Sequence, residues 1–301
     1  PSFPHFTKFA QDKRLQGIRL NSAMISVSEL DEELSIIQNT LGVPLWFDIK
    51  GRQLRVTEVI ENPNYLDIVL NHPIKVNTPT PVLFKAGADN ALLQTVQKNG
   101  HMSTTNFGDR LIFKGGPQYI VRPGESLHIR DKSLQISGPL FTRQEIEKIE
   151  KVRAAGIKKW FLSYVECQSD IDQFLELVGK GAEVMLKIEN QKGLEFITNK
   201  FVKKPNLTLV AARGDLYVEV DKPHQILDAL RLVIDKDPEA QVGSRLLLSV
   251  VQDPTPSCAD FLDLAWLADI GYRKFMLCDE MCLKDELLSV CVNAMSAFRK
   301  T

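Results

Sequence analysis

Glu183-Val-Met-Leu-Lys-Ile-Glu-Asn190 and Leu207-Thr-Leu-Val-Ala-Ala-Arg-Gly-Asp215 decide the fold of this chain. Each opens with a short apolar run, 183–187 and 207–211, that reads as a buried parallel strand, and each ends in charge. Side chains alternate along a strand, so Lys187 and Glu189 leave the same face. A lysine and a carboxylate at one strand end, with Asp215 at the end of the next, make a site suited to Mg²⁺ and phosphate. Mg²⁺ takes a few carboxylate oxygens and completes its shell with substrate oxygens and water. In barrels of alternating strands and helices, this is the end where catalytic side chains collect.

Working outward, the alternation continues on both sides. Helix patterns cover 142–155, 169–179, 191–200, 223–234, 257–270 and 284–299. Between them lie strand-like runs at 158–163, 245–251 and 274–278, besides the two quoted above. Strands alternating with helices of this length form parallel βα units. The first fifty residues repeat the pattern, with strands at 16–21 and 43–48 around a helix at 28–38. From 56 to 138 the character changes. Asn, Pro, Gly and Thr punctuate short β-like runs such as Leu66-Asp-Ile-Val-Leu70, Arg110-Leu-Ile-Phe113 and Ser126-Leu-His-Ile-Arg130. The expected organisation is therefore a (β/α) barrel domain from 1–55 and 139–301, with a β-rich, lid-like domain inserted at 56–138. The βα series holds seven strands, one short of a closed eight-stranded barrel.

Bulk composition narrows the function classes. The 301 residues are 44% hydrophobic and 25% charged, with a net charge of −1, an ordinary globular balance. That charge supplies no electrostatic attraction to nucleic acid or an anionic membrane. No apolar run reaches the roughly 20 residues of a spanning helix. The segment Pro1-Ser-Phe-Pro-His5 lacks the charged-then-apolar pattern of a secretion signal, and a cytoplasmic location is expected. Five scattered cysteines without a CxxC pair read as free thiols. The five histidines, His101 among them, are isolated, and none has the spacing of a ligand set or a base.

Taken together, these segments resemble the pyruvate kinase family. Gly17-Ile-Arg-Leu-Asn21 is similar to that family's second barrel strand. Phe47-Asp-Ile-Lys-Gly-Arg-Gln-Leu-Arg55 is similar to its third, after which the family inserts a mobile β domain. Lys187-Ile-Glu-Asn190 and Val210-Ala-Ala-Arg-Gly-Asp-Leu216 resemble the fifth and sixth strand ends, and Met276-Leu-Cys-Asp-Glu280 the last, more loosely. The resemblance implies that Glu189 and Asp215 hold Mg²⁺ or Mn²⁺ and that Lys187 faces the transferring phosphoryl group and the enolate oxygen. It also implies that Arg19 holds the substrate phosphate, and that the Ala212-Arg213-Gly214-Asp215 turn offers backbone N–H groups to the substrate carboxylate. Arg55 falls on the nucleotide side. Phosphoryl transfer is mostly positioning and charge neutralisation, which suits a metal, a lysine and an arginine around one point.

Several departures cut across that likeness. The family's first strand with its phosphate loop, and its C-terminal regulatory domain, have no counterparts in these residues. Ala23 and Met24 stand where the family has Ser and His, and Ile49 where it has Thr, so Ala23 and Ile49 remove two oxygen ligands of the family's monovalent-cation site. Only Asn21 and Asp48 remain there, and no monovalent cation is expected. Three functions follow from the resemblance: Mg²⁺-dependent phosphoryl transfer between phosphoenolpyruvate and ADP, a non-catalytic binding or assembly subunit, or a metal-dependent lyase or decarboxylase acting on a 2-oxo acid. The expected ligand is a phosphoenolpyruvate- or pyruvate-like small molecule, and a homo-oligomer or partner subunit is compatible with each reading. Against all three stands the plainer reading of Lys187, Glu189 and Asp215 as a buried ion network bracing strand ends. Arg19, likewise, is explained by pairing with Asp48 or Glu189, because an unpaired charge in an apolar strand is costly. Asp279 and Glu280 read as a surface turn.

Overall fold

The computed structural model describes residues 3–100 and 106–299, so His101 lies outside the described residues. Two units emerge from the pattern of contacts, one from 1–49 and 147–301, the other from 50–146. After the short helix α1 (Phe6–Ala10), the first unit contributes β1 (Ile18–Asn21), α2 (Leu30–Thr40) and β2 (Leu45–Ile49). The second holds β3 (Val56–Val59), β4 (Asp67–Lys75), β5 (Thr80–Phe84), β6 (Asp89–Gln97), β7 (Phe107–Lys114), β8 (Leu127–His128) and β9 (Gln135–Ile136). The chain then runs α3 (Arg143–Ala154), β10 (Lys159–Leu162), α4 (Gln168–Val178), β11 (Glu183–Ile188), α5 (Gln191–Asn199), β12 (Leu207–Ala212) and α6 (Arg213–Glu219). It ends with α7 (Ile226–Lys236), β13 (Gln241–Gly243), α8 (Cys258–Asp269), β14 (Lys274–Met276), α9 (Asp279–Cys282) and α10 (Asp285–Phe298).

In the first unit seven strands form one parallel sheet in the order β1-β2-β10-β11-β12-β13-β14. Parallel strands covered by helices carry apolar side chains on both faces. Phe47, Ile49, Leu162, Leu186, Ile188, Leu209 and Val210 are accordingly all buried. On α4 the buried residues Ile171, Phe174 and Val178 recur at helical spacing, and Phe174 meets Trp160 edge-on at 5.9 Å. Gly179, at φ 82°, ends that helix in a conformation that costs glycine little.

The sheet is curled. Six strand spacings of about 4.8 Å would separate β1 from β14 by about 29 Å in a flat sheet. Arg19 of β1 nevertheless reaches Asp279 just beyond β14. No backbone pairing joins β1 to β14 among the described residues, so the closed barrel is replaced by an open, curled sheet of seven strands. The strand expected at 245–251 is also corrected: β13 lies at Gln241–Gly243. Ser244, Arg245 and Leu247 follow with φ of 66°, 56° and 52°, and a 3-10 turn covers Leu248–Val251. Leu246 and Leu247 are buried through this turn, so their apolar run mimics a strand in sequence.

The second unit is an antiparallel sheet ordered β3-β4-β7-β6-β5-β8, with β9 pairing β4. Ile68, Ile74, Val82, Phe84, Leu93, Leu111 and Phe113 form its core. Its outgoing and returning chain segments are held together by one carboxylate. Glu145 Oε1 accepts from the N–H groups of Lys50 (3.1 Å) and Gly51 (2.9 Å). Its Oε2 accepts from the backbone and hydroxyl of Thr142, whose Oγ1 in turn accepts from Glu145 N at 3.2 Å. The buried His72 places Nε2 2.9 Å from the Gly51 carbonyl.

Candidate functional site

Because all seven strands of the first unit run parallel, their C-terminal ends share one edge, and the charged residues quoted at the outset lie along it. The pleat sends Lys187, and Glu189 one residue past β11, to one face. Glu189 is fully buried. Its Oε2 accepts from the Tyr164 N–H at 2.8 Å, and its Oε1 meets Lys187 Nζ at 2.8 Å. The ammonium is the close partner of that oxygen, at an angle away from that of an aligned hydrogen bond. The contact is an ion pair, and it lowers the Glu189 carboxyl against the rise that burial causes. Tyr164 aims its N–H by taking φ 53°, the left-handed region that a non-glycine residue enters at a cost.

Lys187 Nζ donates to Ser163 Oγ at 2.9 Å and lies 3.8 Å from Asp48 Oδ2. Ser163 Oγ sits 3.2 Å from Asp48 Oδ1, to which it donates. Burial works against the ammonium, but Asp48, Glu189 and Asp215 outweigh it, and the Lys187 pKa is raised. For Glu189 the balance goes the other way. Burial pushes its carboxyl up, Lys187 opposes, Asp215 and Asp48 add to the rise, and it stands at about 7. One lysine is shared among three carboxylates, of which Asp48 is also bound by Arg19 and Ser163.

Arg19 makes the pair with Asp48 that the sequence reading set against phosphate binding, and adds a partner that it did not foresee. Its NH1 donates to the fully buried Asp48 at 2.7 Å, and its NH2 donates to Asp279. Burial would lower its pKa, but Asp279 and Asp48 together raise it. Asn21 Nδ2 donates to the other Asp279 oxygen at 2.9 Å, while Asn21 Oδ1 accepts from Ala23 N at 3.1 Å. Two corrections follow. Asp279, read as a surface turn, ties the last strand end to the first. The cation-site remnants Asn21 and Asp48 have their oxygens engaged by the protein's own donors.

Asp215 lies in the first turn of α6, close enough that its charge acts on both Lys187 and Glu189. Its neighbour Arg213 points elsewhere: Nε donates to the Ser244 carbonyl at 3.1 Å, and NH1 reaches both Asp263 oxygens at 2.7 and 2.9 Å. That pairing makes its side chain a brace between α6 and α8 through Nε and NH1, while the buried NH2 takes no part in these bonds. Gly214 is crowded, since a Cβ there would stand 3.3 Å from that of Ser244. Arg55 belongs to the inserted unit, where Nε donates to Gln53 Oε1 at 2.9 Å and NH1 donates to the Gly124 carbonyl. Ser163, Tyr164, Asp263 and Asp279 carry site geometry that the sequence reading assigned to none of them. Ser163 alone had a usable signal, its place at the end of a strand that leads to the same edge.

The donor set fits a divalent cation of the Mg²⁺ class. Glu189 and Asp215, whose charges act on one another, offer hard oxygen ligands beside the further carboxylate of Asp48. No group of three or more His, Cys, Asp or Glu suited to a metal exists among the described residues, so water and ligand oxygens would complete the shell. No helix among the described residues is long and apolar enough to cross a membrane.

No family model matches the chain. A curated protein named pyruvate kinase, from Agrobacterium vitis, is 30% identical over 145 residues, spanning 46% of this chain and 29% of that protein. The crystal structure of pyruvate kinase from Pyrobaculum aerophilum shares the fold, with a TM-score of 0.68 at 16% identity. That match covers 95% of this chain and 67% of the other.

Proposed function

Since the chain is related to the pyruvate kinases, we propose that it keeps the metal and enolpyruvate half of such a site and binds a divalent cation with a pyruvate-like 2-oxo carboxylate. The single observation that carries this reading is the fully buried Glu189, ion-paired with Lys187 at 2.8 Å and pushed up by the charges of Asp215 and Asp48 as well as by burial. Glu189 and Asp215 would hold Mg²⁺ or Mn²⁺, which when bound supplies charge neutralisation to a carboxylate and an adjacent oxygen. Lys187 is held as a cation by its three carboxylate neighbours, so it can face a developing enolate oxygen without losing its proton. The Ser163 hydroxyl, between Asp48 and Lys187, fixes the ammonium in place. Backbone N–H groups at the start of α6 would receive the ligand carboxylate.

A second reading, phosphoryl transfer between phosphoenolpyruvate and ADP, is favoured by the kinship and uses the same residues with Arg19 added. Calorimetric titration with oxalate, phosphoenolpyruvate and ADP, each with and without Mn²⁺, separates the two. Metal-dependent oxalate binding without nucleotide binding is the expected result. Nucleotide binding together with turnover favours the kinase, and no binding of any probe leaves an assembly role. The inserted unit is read as a lid, a role that slower hydrogen exchange at 50–55 on ligand addition would support.

A further inference from the structure

The Asp279 carboxylate occupies the place that an anionic ligand must take to use Arg19. A guanidinium offers a planar fork of donors that suits carboxylates and phosphates alike. On Arg19 both terminal nitrogens are already engaged, NH1 by Asp48 and NH2 by Asp279. The two carboxylates are not equivalent. Asp48 is fully buried and also accepts from Ser163, so it is a fixed partner. The Asp279 side chain is 54% exposed on the four-residue helix α9, which makes it the partner a solute can reach and displace. Asn21 steadies it through its second oxygen at 2.9 Å.

Charge points the same way. In this cluster the cations Arg19 and Lys187 face the carboxylates Asp48, Glu189, Asp215 and Asp279. A bound divalent cation balances that set, and a ligand whose carboxylates sit on the cation, pyruvate or dianionic oxalate alike, keeps its charge beside the metal and away from Asp279. A phosphate would bring about two further negative charges up to Asp279 itself.

We propose that Asp279 is a specificity residue that fills the anion-binding edge of Arg19 from within the chain. The site therefore accepts an unphosphorylated 2-oxo carboxylate and turns away its phosphorylated counterpart. This rests on the metal and 2-oxo acid reading above. Replacing Asp279 by a neutral isostere frees the Arg19 edge and removes one like charge from beside the incoming phosphate.

The test compares the full chain with Asp279→Asn, both loaded with Mn²⁺, using oxalate, inorganic phosphate and phosphoenolpyruvate as probes. Wild type is expected to bind oxalate and to bind inorganic phosphate weakly. Asp279→Asn is expected to strengthen phosphate and phosphoenolpyruvate binding roughly ten- to hundredfold, while oxalate stays within about threefold. Adding Arg19→Met should abolish the gain. In parallel, phenylglyoxal labelling of Arg19, read by peptide mass mapping, should accelerate in Asp279→Asn. Asp279→Ala serves the same comparison should the asparagine variant melt early. Unchanged labelling of Arg19 overturns the contact, and faster labelling without a gain in phosphate affinity overturns the specificity role. A phosphate gain with no oxalate binding to either protein sustains Asp279's role and defeats the 2-oxo acid reading instead.

Discussion

Replacing Lys187 by methionine distinguishes an electrostatic cluster from a merely packed one, and the structure sets the size of the effect. The ammonium lies 2.8 Å from Glu189 Oε1, 2.9 Å from Ser163 Oγ and 3.8 Å from Asp48 Oδ2. Methionine keeps most of the stem and deletes all three contacts. Asp48 retains Arg19 and Ser163, so its share of the loss is that of one polar contact, about 1 kcal/mol. Glu189 responds with pH. Burial above all raises its carboxyl, from 4.5 to about 7, even with the lysine present. Between those values the folded state binds more protons than the unfolded one, so stability falls as pH rises through the window.

At pH 6 the Glu189 carboxyl is mostly protonated in both proteins, and the substitution adds almost nothing through it. At pH 8 wild type ionises while the variant, without its lysine, stays protonated. One pH unit beyond the wild-type pKa then adds about 1.4 kcal/mol. Lys187→Met should therefore destabilise by about 1 kcal/mol at pH 6 and about 2.5 kcal/mol at pH 8. Urea unfolding at both values, in chelator, measures the difference. A penalty that does not change with pH, or its absence, would refute the argument.

Mn²⁺ binding, followed by paramagnetic relaxation of water, should weaken at least about tenfold in both Glu189→Gln and Asp215→Asn, because one remaining carboxylate leaves the ion largely hydrated. Retained affinity in both variants would remove these residues from the metal site. Exchanging K⁺ for N-methylglucamine should alter oxalate binding by less than about twofold, since Arg19, Ser163 and Lys187 already neutralise Asp48; a strict K⁺ requirement would contradict that. Ser244→Gly should stabilise the fold by up to about 1 kcal/mol in urea melts, by relieving a left-handed backbone at a half-buried serine. A loss of stability there would mean that the hydroxymethyl packing outweighs the strain.

What could be read from the sequence was local in origin. Lys187 and Glu189 lie two apart on one strand, so the pleat alone puts them on one side. The βα alternation follows from apolar runs of strand length between amphipathic helices. The failures lie where distant segments meet. Asp279 is 260 positions from Arg19, and nothing near either residue signals the pairing, which exists because the sheet curls. The Leu246-Leu247-Leu248 run has the composition of a strand, yet Leu246 and Leu247 are buried and Leu248 is exposed, in a turn whose left-handed residues Ser244, Arg245 and Leu247 no periodicity encodes. Arg213 sits within a motif that suggests ligand binding, but Asp263, one helix away, takes its side chain.

The Glu145 carboxylate that receives Lys50, Gly51 and Thr142 has a consequence for the folding of the chain. An excursion as long as the antiparallel unit would ordinarily place a wide, floppy loop between β2 and β10, which must pair directly in the parallel sheet. Joining two distant points on a chain costs entropy that grows only slowly with the length between them. Once the excursion has folded, Glu145 holds its two ends together, and the parallel sheet meets a short, pre-closed neck in place of the full contour length. The order of assembly this implies is the antiparallel unit first, with closure of β2 onto β10 following at the entropy of a tight turn.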